Sequence, residues 1–229
     1  MATFFTADTH FGHANVIRHC GRPFGDVHAM NHAMTESWNA VVRPGDVVYH
    51  LGDFAYRFKG DLRALFDRLH GEKHLVAGNH DRPETLSLPW ASVRELVHAT
   101  VDGQRMTLCH YPMMSWPHLH RGAIHLYGHV HGRIPATGRA CDVGVDVWAM
   151  RPASLAEIQA RLSAARPSAS DTFAQRLDGR ARSLVETAER LLPAWAADRV
   201  ADAAARAMGE ETDRILEQLT GQGPGEAAR

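Results

Sequence analysis

KHLVAGNHD (residues 73–81) sets the pattern for the first part of the chain. KHLVA (73–77) is a short, mostly apolar run, and Gly78 closes it. Runs of that length bounded by a turn residue read as strands. Asn79, His80 and Asp81 follow at once, so three side chains with metal or proton chemistry stand where a strand leaves its sheet.

The same arrangement recurs on both sides. TFFTA (3–7) leads to Asp8 and His10, and VVYHL (47–51) leads through Gly52 to Asp53. RMTLC (105–109) leads to His110, and AIHLY (123–127) leads through Gly128 to His129 and His131. DVGVDVW (142–148) reads as a further strand. VRELVHATV (93–101) reads as another, joined to 105–109 by an Asp102-Gly103 hairpin turn. Helical patterns fall at 28–42, 61–70 and 155–164; Ser154 caps the last, with Glu157 completing a capping box.

Alternating strands and helices imply an α/β fold. The late strands follow one another without helices, so mixed pairing is expected. In open α/β sheets, ligands bind beyond the carboxyl ends of strands. Five polar loops would therefore meet at one place. Gly52, Gly78 and Gly128 would allow tight strand exits and close backbone approach there.

The bulk numbers exclude some classes. The chain has 229 residues, is 45% hydrophobic and carries a formal net charge of −1. That suits one sizeable core and shows no basic excess for a polyanion partner. Residues 1–165 carry 16 Lys and Arg against 15 Asp and Glu, again without an electrostatic footprint for nucleic acid. The N-terminal stretch meets Asp8 too early for a secretion signal, and no apolar run is long enough to span a membrane; a cytoplasmic protein is expected. The three cysteines lack CxxC spacing and read as free thiols. All 16 histidines lie between His10 and His131.

Composition changes after residue 165. RPSASD (166–171) reads as a linker, and the Ala-, Arg- and Glu-rich remainder to 229 reads as an α-helical extension. A dimer interface, a lid or a docking arm are the roles open to it.

The series Asp8-x-His10, Gly52-Asp53, Gly78-Asn79-His80-Asp81, His110 and Gly128-His129-x-His131 resembles the calcineurin-like metallophosphoesterase superfamily. TADTHFGH and Gly21-Arg22-Pro23-Phe24 resemble a compact bacterial and phage branch of it. The resemblance implies two mixed β-sheets packed as a sandwich with flanking helices over residues 1–165. It also implies two divalent metal ions. By similarity, Asp8, His10 and His131 hold one, Asn79, His110 and His129 hold the other, and Asp53 bridges them. Mixed nitrogen and oxygen ligands suit Mn, Fe, Zn, Ni or Co alike, and Mn is the expected ion. The implied reaction is P–O bond hydrolysis by a metal-bridging hydroxide. His80 would protonate the leaving oxygen or stabilise the transition state, with Asp81 orienting or supporting it.

His13 and Arg22 are expected at the substrate, the arginine through its phosphate-binding fork. A second-shell or capping role for His13 and a salt bridge for Arg22 are equally open. His50, His74 and His125 lie inside strands and read as core residues or as hydrogen-bonding supports behind the ligands. Tyr111 to Pro117 reads either as a wall of the cleft or as plain packing. The expected partner is a phosphoester, either a small molecule or a nucleotide. A nuclease is the enzymatic alternative. A non-catalytic metal-binding scaffold, recruiting a partner or a second copy through the C-terminal helices, is the alternative of another class.

Overall fold

A computed structural model describes residues 1–165. The division at residue 165, the linker and the C-terminal helices expected beyond it lie outside the described residues.

Two mixed sheets build the fold. The first has the order β4-β3-β2-β1-β9, from Thr3–Thr6 (β1), Val47–His50 (β2), Glu72–Val76 (β3), Ser92–Arg94 (β4) and Ala153–Ser154 (β9). Its pairs are parallel except for the antiparallel β1–β9 edge. The second has the order β5-β6-β7-β8, from Leu96–Val101 (β5), Gln104–Cys109 (β6), Ile124–Tyr127 (β7) and Ala140–Asp142 (β8). It is antiparallel at β5–β6 and parallel beyond.

Strand alternation builds two apolar layers from β1. Phe5 packs with Leu51, Val76, Leu108, Leu126 and Trp148 between the sheets. Its neighbour Phe4 faces the other way, onto Met30, Met34 and Trp38 of α2 (Val27–Val41) and Leu65 and Phe66 of α3 (Leu62–Arg68). α2 starts at Asp26, whose side chain accepts from the His28 and Ala29 amides. The two layers pin β1 and β2 from both faces, so the loops at their carboxyl ends stand on a rigid base.

Two strand readings change. The expected strand 93–101 is two strands, β4 and β5, which belong to different sheets. The hairpin after β5 is as expected, with Asp102 and Gly103 both in the left-handed region at φ 47° and 79°. The expected strand 142–148 stops at Asp142, whose Oδ1 accepts from Gly144 N at 2.7 Å and turns the chain. A 3₁₀ turn over Val145–Val147 follows, with Val143 buried in one apolar layer and Val145 in the other. A short helix, α1 (Ala14–Cys20), was absent from the sequence reading.

The capping box at the helix Leu155–Ala164 is formed as expected, and Glu157 also pairs with Arg151 at 2.6 Å. Ser154→Ala should lower stability by about 1 kcal/mol in urea titrations. The bond from Arg151, with those from Ser154, holds the Glu157 carboxyl down from 4.5 to about 2. A depressed carboxyl stabilises the fold above its unfolded value and loses that effect on protonation. The contribution is therefore present above about pH 4.5 and fades toward pH 2, and Glu157→Gln should flatten that acid limb.

Candidate metal centre

All five polar loops arrive at one edge of the sandwich. The β1 loop is zipped to the β2 loop by Asp8 N→Gly52 O (3.0 Å), His10 N→Asp53 O (2.9 Å) and Phe11 N→Phe54 O (2.9 Å). Gly52 lies at φ +94°, and a Cβ there would sit 2.5 Å from His110 Nδ1 and 2.7 Å from the Gly78 backbone. The loops after β2, β3 and β6 can therefore touch only around a glycine. At Gly128 a Cβ would sit 2.6 Å from Ala7 Cβ and 2.7 Å from Asp8 Oδ2, so the β7 loop closes on the β1 loop the same way.

The donor atoms converge. Asp8, His10 and His131 offer ligand atoms all within 4.8 Å of one another, and so do Asp8, Asp53 and His110. Asp53 faces both halves: Oδ2 is 3.5 Å from His10 Nε2 and Oδ1 is 3.6 Å from His110 Nε2. Asn79 Oδ1 lies 3.1 Å from His110 Nε2. The His129 ring stands edge-on to His110 at 5.1 Å. Asp8, His10, Asp53, His129 and His131 all have φ between 49° and 70°. Non-glycine residues in that region cost about 1–3 kcal/mol each and cluster at functional sites.

The electrostatics fit divalent cations. Burial, then Asp142 and Asp53, push the Asp8 carboxyl well above its ordinary 3.8. Burial, then His131 and Arg22, push His10 down to about 2. Among the described residues, no Lys or Arg forms an ion pair with Asp8 or Asp53. Buried carboxylates without a cation, beside imidazoles that resist protons, form a site whose balance a bound divalent ion corrects. His110 Nδ1 sits 2.8 Å from Leu51 O and His131 Nδ1 sits 2.7 Å from Asp146 Oδ2. With those nitrogens donating, each Nε2 keeps its lone pair for a metal.

A cleft of about 260 Å³ opens above these atoms, walled by His10, His13, Asp53, His80, His129 and His131 among others. The family model of the calcineurin-like phosphoesterase superfamily domain matches residues 1–164. The chain belongs to that superfamily. Its relatives include an uncharacterized protein of Methanocaldococcus jannaschii, 32% identical over 161 residues, covering 66% of this chain and 86% of that protein. The Gene 66 protein of Mycobacterium phage D29 is 31% identical over 183 residues, covering 63% of this chain and 88% of that protein. Among solved structures, a protein of unknown function from Aquifex aeolicus matches with a TM-score of 0.57 at 25% identity, covering 69% of this chain and 98% of that one.

In this calcineurin-like phosphoesterase domain Arg22 takes the salt-bridge reading, and Asp81 bonds backbone amides and not the His80 ring. Arg22 is buried, and its guanidinium is occupied. It forks onto Asp146 at 2.8 and 2.9 Å and donates to Thr9 O at 2.9 Å and Asp8 O at 2.7 Å. It holds the β1 loop from behind and has no free donor edge for substrate. Asp81 does not orient the His80 ring. Its Oδ2 accepts from Asp53 N and Gly78 N, and its Oδ1 from Phe54 N, so it clamps the β2 and β3 loops together. Asp8, His10, Asp53, His110 and His131 fall in the converging groups, and Asn79 and His129 stand beside His110. His80 turns its ring edge-on to His10 at 5.5 Å, and its amide donates to Asp53 Oδ1 at 2.8 Å. His13 lines the cleft with Nδ1 3.4 Å from His10 Nδ1; it stands at the N-cap of α1 without a side-chain capping bond.

The strand histidines fulfil their quieter roles. His50 is buried behind the centre against Thr9 Oγ1 at 2.9 Å, His74 bonds Ser92, and His125 bonds the backbone around Thr107 and Met113. Tyr111 is exposed and packs on the His110 and His129 rings at 4.9 Å. The three cysteines are free. No helix among the described residues is long and apolar enough to cross a membrane.

Asp146 and Tyr56 were missed. Asp146 sits inside the segment misread as a strand, and only its place three residues after Val143 in a turn brings it under His131. Cys20, His131 and Asp146 also cluster within 4.8 Å, but Arg22 and His131 already occupy the Asp146 oxygens. Asp146→Ala should weaken metal binding by about 10–100-fold, the usual cost of losing such a carboxylate–imidazole support. Competition with a metal-chelating dye measures it, and unchanged affinity would remove Asp146 from the role.

Proposed function

We propose that residues 1–165 form a phosphoesterase with two divalent-metal sites, hydrolysing P–O bonds of phosphomonoesters or phosphodiesters. Asp53 carries this reading: each of its carboxylate oxygens faces an imidazole nitrogen of a different half of the centre. That is the placement a bridging ligand needs. Asp8, His10 and His131 would hold one ion and Asn79, His110 and His129 the other. A bound pair would acidify water and clamp both oxygens of an in-line displacement.

The chain's own residues do the rest. His129 lines the cleft and is exposed, as is Asn79 beside His110, so a phosphoryl oxygen can reach this side of the centre. His80 lines the same cleft, with its ring outside the groups of converging donor atoms. That position suits protonation of a leaving oxygen. His13 packs on Tyr56 at 4.5 Å and supports the His10 side.

The test is a phosphoester panel on chelator-treated full-length protein, with Mn²⁺, Fe²⁺, Zn²⁺, Co²⁺ or Ni²⁺ restored singly. Turnover should return, strongest with Mn²⁺, at two ions per chain by elemental analysis. Metal uptake without turnover of any ester would leave a non-catalytic metal-binding scaffold in its place.

A further inference from the structure

A second cavity is lined by the chain neighbours of Tyr56 on both sides. It has a volume of about 430 Å³ and is lined by Ala55, Arg57, Phe58, Arg82, Glu84 and Thr85 among others. The Tyr56 ring touches residues of both regions. It meets His80 edge-on at 5.1 Å and His13 at 4.5 Å on the metal side. Arg57 Cζ lies 5.4 Å and Arg82 Cζ 5.9 Å from the same ring centroid. Both are within cation–π range.

Two guanidiniums gathered round one ring repel each other. Among the described residues neither forms an ion pair with a carboxylate, although Glu84 lines the same cavity. Both arginines are exposed, so their heads are open to a ligand. Arg57 also holds a left-handed backbone at φ 48°, as do five of the metal-centre residues. Such strain in a bulky residue persists where its surroundings impose it. Arginine forks match phosphate oxygens in geometry and charge. From the His10 ring to the His80 ring, to the Tyr56 ring and on to Arg57, each step is 5.1 to 5.5 Å.

Resting on the phosphoesterase reading above, we infer that Arg57 and Arg82 form a second anion subsite. It takes a phosphate one residue along the substrate from the bond being cut. The substrate class is then a nucleotide strand or other ester carrying a second phosphate, with Tyr56 between the two phosphate positions.

The experiment compares kcat/KM for the dinucleotide TpT with the same dinucleotide phosphorylated at its 5′ or its 3′ end. Bis(p-nitrophenyl) phosphate serves as the minimal ester. The full-length protein is assayed beside an Arg57→Gln/Arg82→Gln double variant. One phosphorylated form should be preferred by at least about tenfold, the worth of a charge-assisted contact. The variant should lose that preference while turning over the minimal ester unchanged. Equal kcat/KM for all three dinucleotides in the wild type would overturn the subsite, and so would an equal fall on every substrate in the variant. Thymidine 3′,5′-bisphosphate titrated into chelator-treated protein separates the two readings. Binding lost in the variant, with no turnover of any ester under any metal, would overturn the phosphoesterase reading and leave a bare anion site. Binding equal in both proteins would overturn the subsite.

Discussion

Replacing Arg22 with alanine should destabilise the metal-free domain by about 3–5 kcal/mol, the usual cost of breaking a buried ion pair from one side. The guanidinium is buried, and its loss strands the Asp146 carboxylate and leaves the Asp8 and Thr9 carbonyls without their donor. Only His131 would remain on Asp146. The urea midpoint of chelator-treated protein reads the effect without interference from metal loss. At a slope of about 1–3 kcal/mol per molar urea, the midpoint should fall by more than about 1 M. Arg22→Lys should recover only part of the loss, because one ammonium cannot span a carboxylate fork and two carbonyls. A variant that keeps the midpoint but raises KM would instead restore Arg22 to the substrate. The Asp146→Ala variant closes the cycle: with both partners gone, the loss should be smaller than the sum of the single losses.

Arg22 also shows where the sequence stops being legible. The metal-competent residues were visible because each follows a strand directly, and strand ends are fixed by local pattern. Asp8, Asp53, Asn79, His110 and His129 needed only that rule to be brought to one edge. What holds them was hidden, because it comes from segments far apart in the chain. Arg22 and Asp146 are 124 residues apart, and no spacing links them. Asp146 was further masked by valines at alternate positions, which imitate a strand where Asp142 in fact turns the chain. The split of 93–101 has a similar cause: one continuous strand-like run crosses from one sheet to the other at Glu95, and periodicity does not see a change of partner. Asp81 was legible as important and illegible in its role. Its triplet neighbours suggested a link to His80, whereas three backbone amides from two loops claim its oxygens.

His80→Ala should lower turnover by about 10²–10⁴-fold, the range for removing a positioned general acid, while both metals stay bound. The structure separates the two effects. The His80 ring belongs to none of the three groups of converging ligand atoms, and the contact that His80 makes with Asp53 runs through its backbone amide at 2.8 Å. Alanine keeps that amide and deletes only the ring between His10 and Tyr56. Elemental analysis of the variant should therefore match the wild type. The defect should also depend on the leaving group. An alkoxide needs a proton as the P–O bond breaks, whereas p-nitrophenolate leaves well without one. The variant should accordingly lose most on nucleoside and alkyl esters and least on p-nitrophenyl esters. Metal loss in the variant would make His80 a ligand. An equal fall on every leaving group would assign the ring to charge stabilisation on the phosphoryl oxygens, because only proton delivery to the leaving oxygen scales with its basicity.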